Sequence, residues 1–195
     1  MKKIVWIIFI GIMGCILLFV LFPSEQNLGD NYYYLPDYEA YDIGYPGPIV
    51  YKSEDKNAFQ EIKILEDVIA VKHNGEYIIS MQRPNKESIA KLLKLKFLIW
   101  NSYYLENIKR DSIVKIDFVG AMTLKNIHNI TDNGDTISTI KMVDSLLNNS
   151  SYYSNLFKRN KNYYIINKVN DSVFGPLSLN EFEKLIIEKQ IGLKF

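Results

Sequence analysis

The sequence contains few of the side chains on which catalysis and metal binding usually depend. It has one cysteine, Cys15, and two histidines, His73 and His128. Because Cys15 lies inside an apolar run, the rest of the chain offers no disulfide, thiol nucleophile or thiolate metal site. Two histidines are too few for a histidine-rich metal cluster. We therefore assign no catalytic, cofactor-binding or metal-binding residue from the sequence.

The chain also lacks an excess of charge of either sign. Lys and Arg number 23 against 22 Asp and Glu, which gives a net charge of +1. This balance provides no electrostatic basis for binding nucleic acid, so we expect no nucleic-acid partner. Aromatic residues are plentiful, with 14 Tyr and 10 Phe, and this composition favours a packed fold over disorder.

The longest apolar run covers residues 4–22 and contains neither charge nor proline. As a helix it would be about 28 Å long, close to the hydrocarbon thickness of a bilayer. Lys2 and Lys3 precede the run, and the positive-inside rule then places the N-terminus in the cytoplasm. The run predicts an uncleaved, single-pass signal anchor in the cell membrane, with the C-terminal domain on the extracytoplasmic side.

Two other interpretations of this N-terminus differ in how the apolar run is processed. A cleaved signal peptide would have a shorter apolar core and a small-residue cleavage site, and neither is present. The stretch Ile12-Met13-Gly14-Cys15 resembles a bacterial lipobox, which implies lipidation at Cys15. In lipoproteins a polar tether follows the cysteine, whereas here the apolar run continues to Phe22. The lipoprotein alternative stays open, and it places the domain on the same side of the membrane.

We divide the chain into an anchor (1–23), a tether with the first strands (24–60) and the rest of one extracytoplasmic α+β domain (61–195). Five segments have the β-branched and aromatic content of strands. They read NYYYL, IVYK, EIKIL, VIAVK and YIISMQ. Asn74-Gly75 between the last two is a strong hairpin signal, because both residues tolerate positive φ.

Seven tyrosines between residues 32 and 51 admit more than one interpretation. They could stack on sugars, line a peptide groove or lie at the level of the lipid headgroups. We favour the structural interpretation, in which they are strand residues that cover a small sheet.

A helix is predicted after Pro84, with Asn85 as its N-cap. Apolar residues recur at helical spacing and predict one buried face, formed by Ile89, Leu92, Leu93, Phe97 and Trp100. Several lysines lie mostly off this face. A helix lying on a membrane is one interpretation, and a core-facing helix with a lysine-rich wet side is the one we favour.

The region after this helix is harder to interpret. Residues 113–118 alternate as a strand would, and the following TLKNIHNI fits a strand or a loop. Residues 131–136 form a polar turn without the full ligand spacing of a calcium loop. A second helix is predicted from Ile137 to Leu147, with a short helical turn over residues 151–158.

The C-terminal unit carries the clearest signals. A strand at 163–166 turns at Asn170-Asp171-Ser172 and returns to end at Gly175-Pro176. Ser178 and Glu181 then form a capping box, and Gly192 is the predicted stop of the helix. The unit echoes the strand, proline and helix at residues 77–100. We therefore expect an α+β fold, with two to three helices packed on one side of antiparallel strands.

The tail at 163–185, YYIINKVNDSVFGPLSLNEFEKL, resembles that of small uncharacterised bacterial lipoproteins and membrane-anchored proteins. Those proteins begin with a lipobox or an apolar anchor and continue through Gly29-Asp30-Asn31-Tyr32-Tyr33. They end in a tyrosine pair followed by Gly-Pro-Leu-Ser-x-x-Glu-Phe. The resemblance implies an extracytoplasmic α+β domain and carries no particular activity.

The same tail is similar to the start of GYF domains, which bind proline-rich peptides on an aromatic surface. Gly175-Pro176, Phe182 and Leu185 lie at compatible spacing. The tryptophan positions of that family are not tryptophan here, and the closing Gly-Tyr-Phe is absent. Because those residues build the peptide groove, the resemblance does not extend to peptide binding.

Three functions are compatible with the sequence. The first is a non-enzymatic, membrane-tethered domain that binds an envelope protein, a peptide or a glycan. The second is an immunity or inhibitor protein that blocks a toxin at the membrane. The third is a carboxylate-based envelope hydrolase, which needs two facing carboxyl groups roughly 5–10 Å apart. The acidic candidates for that role are Asp37, Glu39, Asp42, Glu61 and Asp117.

Overall fold

A computed structural model of the chain describes residues 26–43, 45–56, 59–107, 110–116, 118–131 and 136–195. The predicted anchor with Cys15, the acidic candidate Asp117 and most of the predicted turn at 131–136 lie outside the described residues. No helix within the described ranges combines the length and the apolar composition that a membrane crossing requires.

The described residues form strands and helices in a mixed order. The strands are β1 (Gln26–Gly29), β2 (Tyr32–Leu35), β3 (Ile49–Lys52), β4 (Glu61–Ile64), β5 (Val68–His73), β6 (Tyr77–Gln82), β7 (Ile113–Ile116), β8 (Gly120–Thr123), β9 (Asn162–Asn167) and β10 (Ser172–Leu177). The helices are α1 (Asp37–Asp42), α2 (Lys86–Glu106), α3 (Leu124–Thr131), α4 (Thr136–Asn149), α5 (Ser151–Leu156) and α6 (Leu179–Glu188).

All strand pairs of the described chain are antiparallel and belong to three sheets. Sheet A has the order β1-β2-β3-β4, and sheet B has the order β10-β9-β6-β5. The β7–β8 hairpin stands alone. The expectation of an α+β fold with antiparallel strands is therefore confirmed.

Sheet A lies between sheet B and a layer of helices, and its side chains alternate accordingly. On β2, Tyr32 joins an apolar cluster shared with Ile78 and Ile166 of sheet B. Three residues later, Leu35 lies on the opposite face and joins the cluster formed with helices α2 to α5. Strand β3 is also covered on both faces, and it reads as a nearly continuous apolar run.

The other face of sheet B packs against α6. Ile79 and Ile165 point to this side and form a third cluster with Phe182 and Ile191. The layers therefore run in the order helices, sheet A, sheet B, α6. The expectation that the helices lie on one side of the strands is wrong, because the two sheets stack and each is covered by helix on its outer face.

Local signals correctly positioned several elements. Asn85 Oδ1 accepts hydrogen bonds from the backbone N–H groups of Glu87 and Ser88 at the start of α2. Asn74 Oδ1 accepts from the N–H of Glu76 and Tyr77 in the β5–β6 hairpin. The capping box between Ser178 and Glu181 is present in both directions.

Three local predictions are wrong. The TLKNIHNI segment is neither strand nor loop but lies largely in α3, which buries Leu124, Ile127 and Thr131 at helical spacing. Gly192 does not end α6, since the helix stops at Glu188 and Gln190 adopts the positive φ of 53°. Gly175 and Pro176 lie within β10 rather than at its end, as edge-strand position allows for proline.

The described helices number six, not two to three, because the segments forming α1, α3 and the short α5 were not counted.

The echo between the two strand-to-helix units has a structural counterpart. Strands β6 and β9 are neighbours in sheet B, with Ile78 opposite Ile166 and Ile79 opposite Ile165. Similar sequences therefore lie side by side at the centre of the sheet.

Gly175 provides a test of the packing within sheet B. Its φ is +150°, and a Cβ at this position would collide with the ring of Tyr164. We expect Gly175→Ala to lower the free energy of unfolding by roughly 2–4 kcal/mol, since it adds backbone strain and overpacking. Gly75→Ala is the matched control, because its Cβ would meet nothing within 4 Å. Chemical denaturation of both variants measures the effect, and equal stability would contradict the packing described here.

Candidate functional site

The acidic residues singled out from the sequence do not converge on one site. Asp37, Glu39 and Asp42 all lie on α1, whereas Glu61 begins β4. His73 is exposed at the end of β5. His128 packs against Tyr104, and its Nδ1 lies 2.9 Å from Asn101 Oδ1. Within the described residues no group of His, Cys, Asp and Glu is arranged to hold a metal ion.

The most concentrated set of charges lies where the β9–β10 turn of sheet B meets sheet A. We call it the Asp171 cluster, and its members are Tyr32, Lys52, Glu61, Lys63 and Asp171. Lys63 Nζ lies 2.8 Å and 2.9 Å from the two carboxylate oxygens of Asp171 and 2.9 Å from Glu61 Oε1. Tyr32 donates its hydroxyl to Asp171 Oδ1, and Lys52 Nζ lies 3.4 Å from Oδ2.

A β-bulge puts Lys63 in this cluster. Val50 pairs with Ile64 and Tyr51 pairs with Ile62, so Lys63 is the extra residue of β4 without a partner across the ladder. Such a bulge redirects one side chain out of the normal alternation. The side chain of Lys63 is only 6% exposed, and its ammonium is therefore desolvated and held by two carboxylates.

Asp171 and Lys63 are both ionised at neutral pH. Partial burial opposes ionisation of Asp171, but hydrogen bonds from Lys63 and Tyr32 outweigh it and lower the pKa of this carboxyl. The pKa of Lys63 is raised, because its bonds to Asp171 and Glu61 overcome the effect of burial. Burial, together with the bond to Asp171, raises the pKa of Tyr32, which stays a neutral donor.

A second cation of the same turn region also crosses between the sheets. Lys168 follows β9, and its side chain is 3% exposed. Its Nζ donates to the carbonyl oxygen of Leu28 at 2.8 Å and lies 3.4 Å from Asp30 Oδ2. The turn between β9 and β10 thus contributes one cation and one anion to bonds with sheet A.

Two adjoining grooves open beside the Asp171 cluster, each with a volume of about 440 Å³. The first, which we call the edge groove, runs between β4 and β10. Its lining residues are Glu61, Ile62, Lys63, Lys115, Phe118, Asp171, Val173 and Gly175. The second is lined by Asn31, Lys52, Ser53, Glu54, Gln60, Glu61 and Lys115. The grooves meet at Glu61 and Lys115.

The edge groove combines two features that suit a polypeptide ligand. Among the described strands, β4 and β10 are each the last strand of their sheet, so both present an edge to the groove. Lys115 is exposed and makes no ion pair with the described residues. The groove therefore offers backbone groups for an added strand and one cation that is not neutralised from within.

The arrangement is poorly suited to acid–base hydrolysis. Glu61 and Asp171 both line the edge groove, and both contact the Lys63 ammonium. A two-carboxylate hydrolase needs one carboxylic acid that keeps its proton, and therefore a raised pKa. The pKa of Asp171 is lowered instead. The groove thus resembles an ionic binding surface more than a pair of catalytic acids.

A separate polar group lies in the core beside sheet B. Glu66 is 0% exposed, and neither of its carboxylate oxygens has a hydrogen-bond partner among the described residues. Its backbone carbonyl accepts from Gln82 Nε2 at 3.0 Å, and Tyr164 donates to Gln82 Oε1 at 2.8 Å. Burial raises the pKa of Glu66 to about 7. This carboxyl is shielded from solvent.

Sequence reasoning missed the Asp171 cluster. From the sequence, Glu61 is an acidic candidate and Tyr32 is one of seven tyrosines that could bind a ligand, whereas Asp171 is predicted only as a turn residue. One signal was available: Lys63 interrupts the apolar EIKIL strand, where a lysine is costly unless it is paired. The partner is more than a hundred positions away in the chain, and only the stacking of the sheets brings the two together.

Comparison of this chain with known protein families, curated proteins and solved structures finds no match.

The buried Glu66 makes stability dependent on pH. The pKa of Glu66 is near 4.5 when exposed and about 7 in the fold. The contribution of this carboxyl to the free energy of unfolding is therefore complete below pH 4.5 and is lost as pH rises through 7. The loss is on the order of 3 kcal/mol. We expect Glu66→Gln to be more stable than the parent above pH 7 and to differ little at pH 4.

Denaturant titrations over this pH range measure the effect. Glu183→Gln, at an exposed position of α6, is the matched control and should follow the parent curve. Parallel pH profiles for Glu66→Gln and the parent would show that the Glu66 carboxyl is not buried as described.

Proposed function

We propose that this protein is a membrane-anchored, extracytoplasmic binding domain without enzymatic activity, and that the edge groove is its ligand site. One observation carries this proposal. The unpaired edges of β4 and β10 and the side chain of Lys115, which is not neutralised, line the same groove. The carboxylates of Glu61 and Asp171 are both bound to the ammonium of Lys63. This arrangement favours a binding site over a catalytic site.

The location within the cell rests on the sequence. The apolar run at residues 4–22 is long enough to span a bilayer, and Lys2 and Lys3 favour a cytoplasmic N-terminus. Lipidation of Cys15 is the alternative form of anchorage, and it places the domain on the same side. In both forms the lipid bilayer is the first partner of the chain.

The ligand class follows from the chemistry of the edge groove. An exposed strand edge binds an extended polypeptide through backbone hydrogen bonds, and neighbouring side chains provide specificity. Lys115 favours an acidic side chain on that polypeptide, while Phe118 and Val173 provide apolar contacts. We infer that the ligand is an extended, acidic segment of an envelope protein. A secreted toxin carrying such a segment would make this chain an immunity or inhibitor protein.

Photo-cross-linking in intact cells tests the edge groove. A benzophenone side chain at Val173, which is 37% exposed and lines the groove, is compared with one at Ile69, which is 43% exposed on β5. We expect a discrete adduct with an envelope polypeptide from position 173 only. Lys115→Glu should reduce its yield severalfold, because it removes the attraction for an acidic segment.

Lys184→Glu is the matched charge reversal at an exposed position of α6, outside the groove. It should leave the yield from position 173 unchanged. The proposal fails if both cross-linker positions give the same adducts, or if Lys115→Glu and Lys184→Glu behave alike.

A further inference from the structure

Helix α2 is apolar on two faces, and only one of them is covered by the described fold. The inner face buries Ile89, Leu92, Leu93, Phe97 and Tyr104. The outer face exposes large apolar side chains that are each between 41% and 55% accessible, namely Leu95, Leu98, Ile99, Tyr103 and Leu105. The core-facing part of the prediction for this helix is confirmed for four of its five residues, whereas Trp100 is half-buried against the same core. The wet side, however, is not the lysine-rich face that was expected.

The outer residues form one continuous stripe. Leu95, Leu98 and Ile99 are spaced three and four positions apart, and Tyr103 follows Ile99 one turn later. An outward-facing helix of a globular protein normally carries polar residues on this side. An exposed apolar patch of this kind marks a surface that contacts something else.

Three lysines surround the N-terminal half of the stripe. At 100° per residue, Lys94 and Lys96 lie on opposite flanks of Leu95, and Lys91 lies one turn before it. Lys91 is paired with Glu87 at 2.9 Å on the same surface. A surface that combines an apolar stripe with flanking lysines can place apolar side chains between lipid headgroups while the ammonium groups contact anionic lipids.

The position of the fold along the chain supplies an independent argument, which rests on the proposed membrane anchor. The apolar run ends at Phe22 and β1 begins at Gln26, so only residues 23–25 separate the two. Three residues reach about 10 Å at most. The domain is then held at the bilayer. Any apolar face that the domain turns toward the bilayer therefore meets a very high local concentration of lipid.

We propose that the outer face of α2 docks on the extracytoplasmic surface of the membrane in which the chain is anchored. The stripe from Leu95 to Tyr103 enters the boundary between headgroups and acyl chains, and Lys91 and Lys94 contact anionic lipid headgroups. This contact orients the domain instead of leaving it to rotate on its tether. A second copy of the chain is the other occupant that would cover such a face, and the test below separates it from lipid.

The test uses the full chain reconstituted into vesicles of phosphatidylcholine, with or without an equal part of phosphatidylglycerol. In a Cys15→Ser background, an environment-sensitive fluorophore is attached at Leu98→Cys or, as the matched control, at Ile69→Cys. These positions are 51% and 43% exposed. We expect nitroxide-labelled lipids to quench the probe at position 98 severalfold more than the probe at 69. Lys94→Glu should weaken this quenching in the vesicles that contain phosphatidylglycerol.

The remaining outcomes are distinguishable. If the vesicles retain the chain after carbonate extraction and both probes are equally accessible to water, the docking of α2 is overturned. The proposed anchor is then still supported. Two results together overturn docking in favour of a dimer. The probe at 98 is shielded from water but not quenched by lipid, and unlabelled Leu98→Cys chains form a disulfide with each other when an oxidant is added. Release of the chain by carbonate overturns the anchor at residues 4–22 and this inference with it.

Discussion

The ionic contact between Asp171 and Lys63 joins the two sheets of this protein. Asp171 lies in the turn that closes β9 and β10, and it accepts hydrogen bonds from Lys63 of β4 and Tyr32 of β2. Face-to-face stacking by apolar side chains alone is not directional and would allow the sheets to slide. A carboxylate held by an ammonium and a phenol at fixed distances is directional, and it specifies one alignment. Lys168, bonded to the carbonyl of Leu28, supports the same alignment.

The alignment of the sheets also forms the edge groove, which is the proposed ligand site. When β4 and β10 are held across from each other, their edges become the two walls of one groove. The ions that hold the walls are neutralised within the Asp171 cluster, whereas Lys115 on the neighbouring hairpin is not. The structural charges and the charge available to a partner are thus different residues.

The features predictable from sequence were the local ones. The Asn85 cap, the Asn74-Gly75 hairpin and the Ser178–Glu181 capping box each depend on residues within four positions of one another, and all three are present. The bulge at Lys63 was not predictable, because it exists only through the pairing of β4 with β3. Helix α3 was missed although Leu124, Ile127 and Thr131 have helical spacing, since the segment is short and rich in asparagine.

The candidate site was less predictable than the fold because it is assembled from distant segments. Glu61 was recognised as an acidic residue in a strand, but its role beside Lys63 depends on Asp171, which a turn brings in from the far end of the chain. The outer face of α2 was also read incorrectly. The sequence pattern predicts a lysine-rich exposed side, whereas the structure turns Leu98 and Ile99 outward between the lysines.

A double-mutant cycle on Lys63→Met and Asp171→Asn tests the junction most directly. Asn is a suitable replacement at position 171, because Asp171 has a φ of 58° and asparagine tolerates this conformation. The account predicts a coupling free energy of about 1–3 kcal/mol in chemical denaturation. It should exceed that of the exposed Glu87–Lys91 pair, for which about 0.3–0.5 kcal/mol is expected. Additive effects of the two substitutions, or a coupling no larger than that of the exposed pair, would contradict the claim that this contact fixes the alignment of the two sheets.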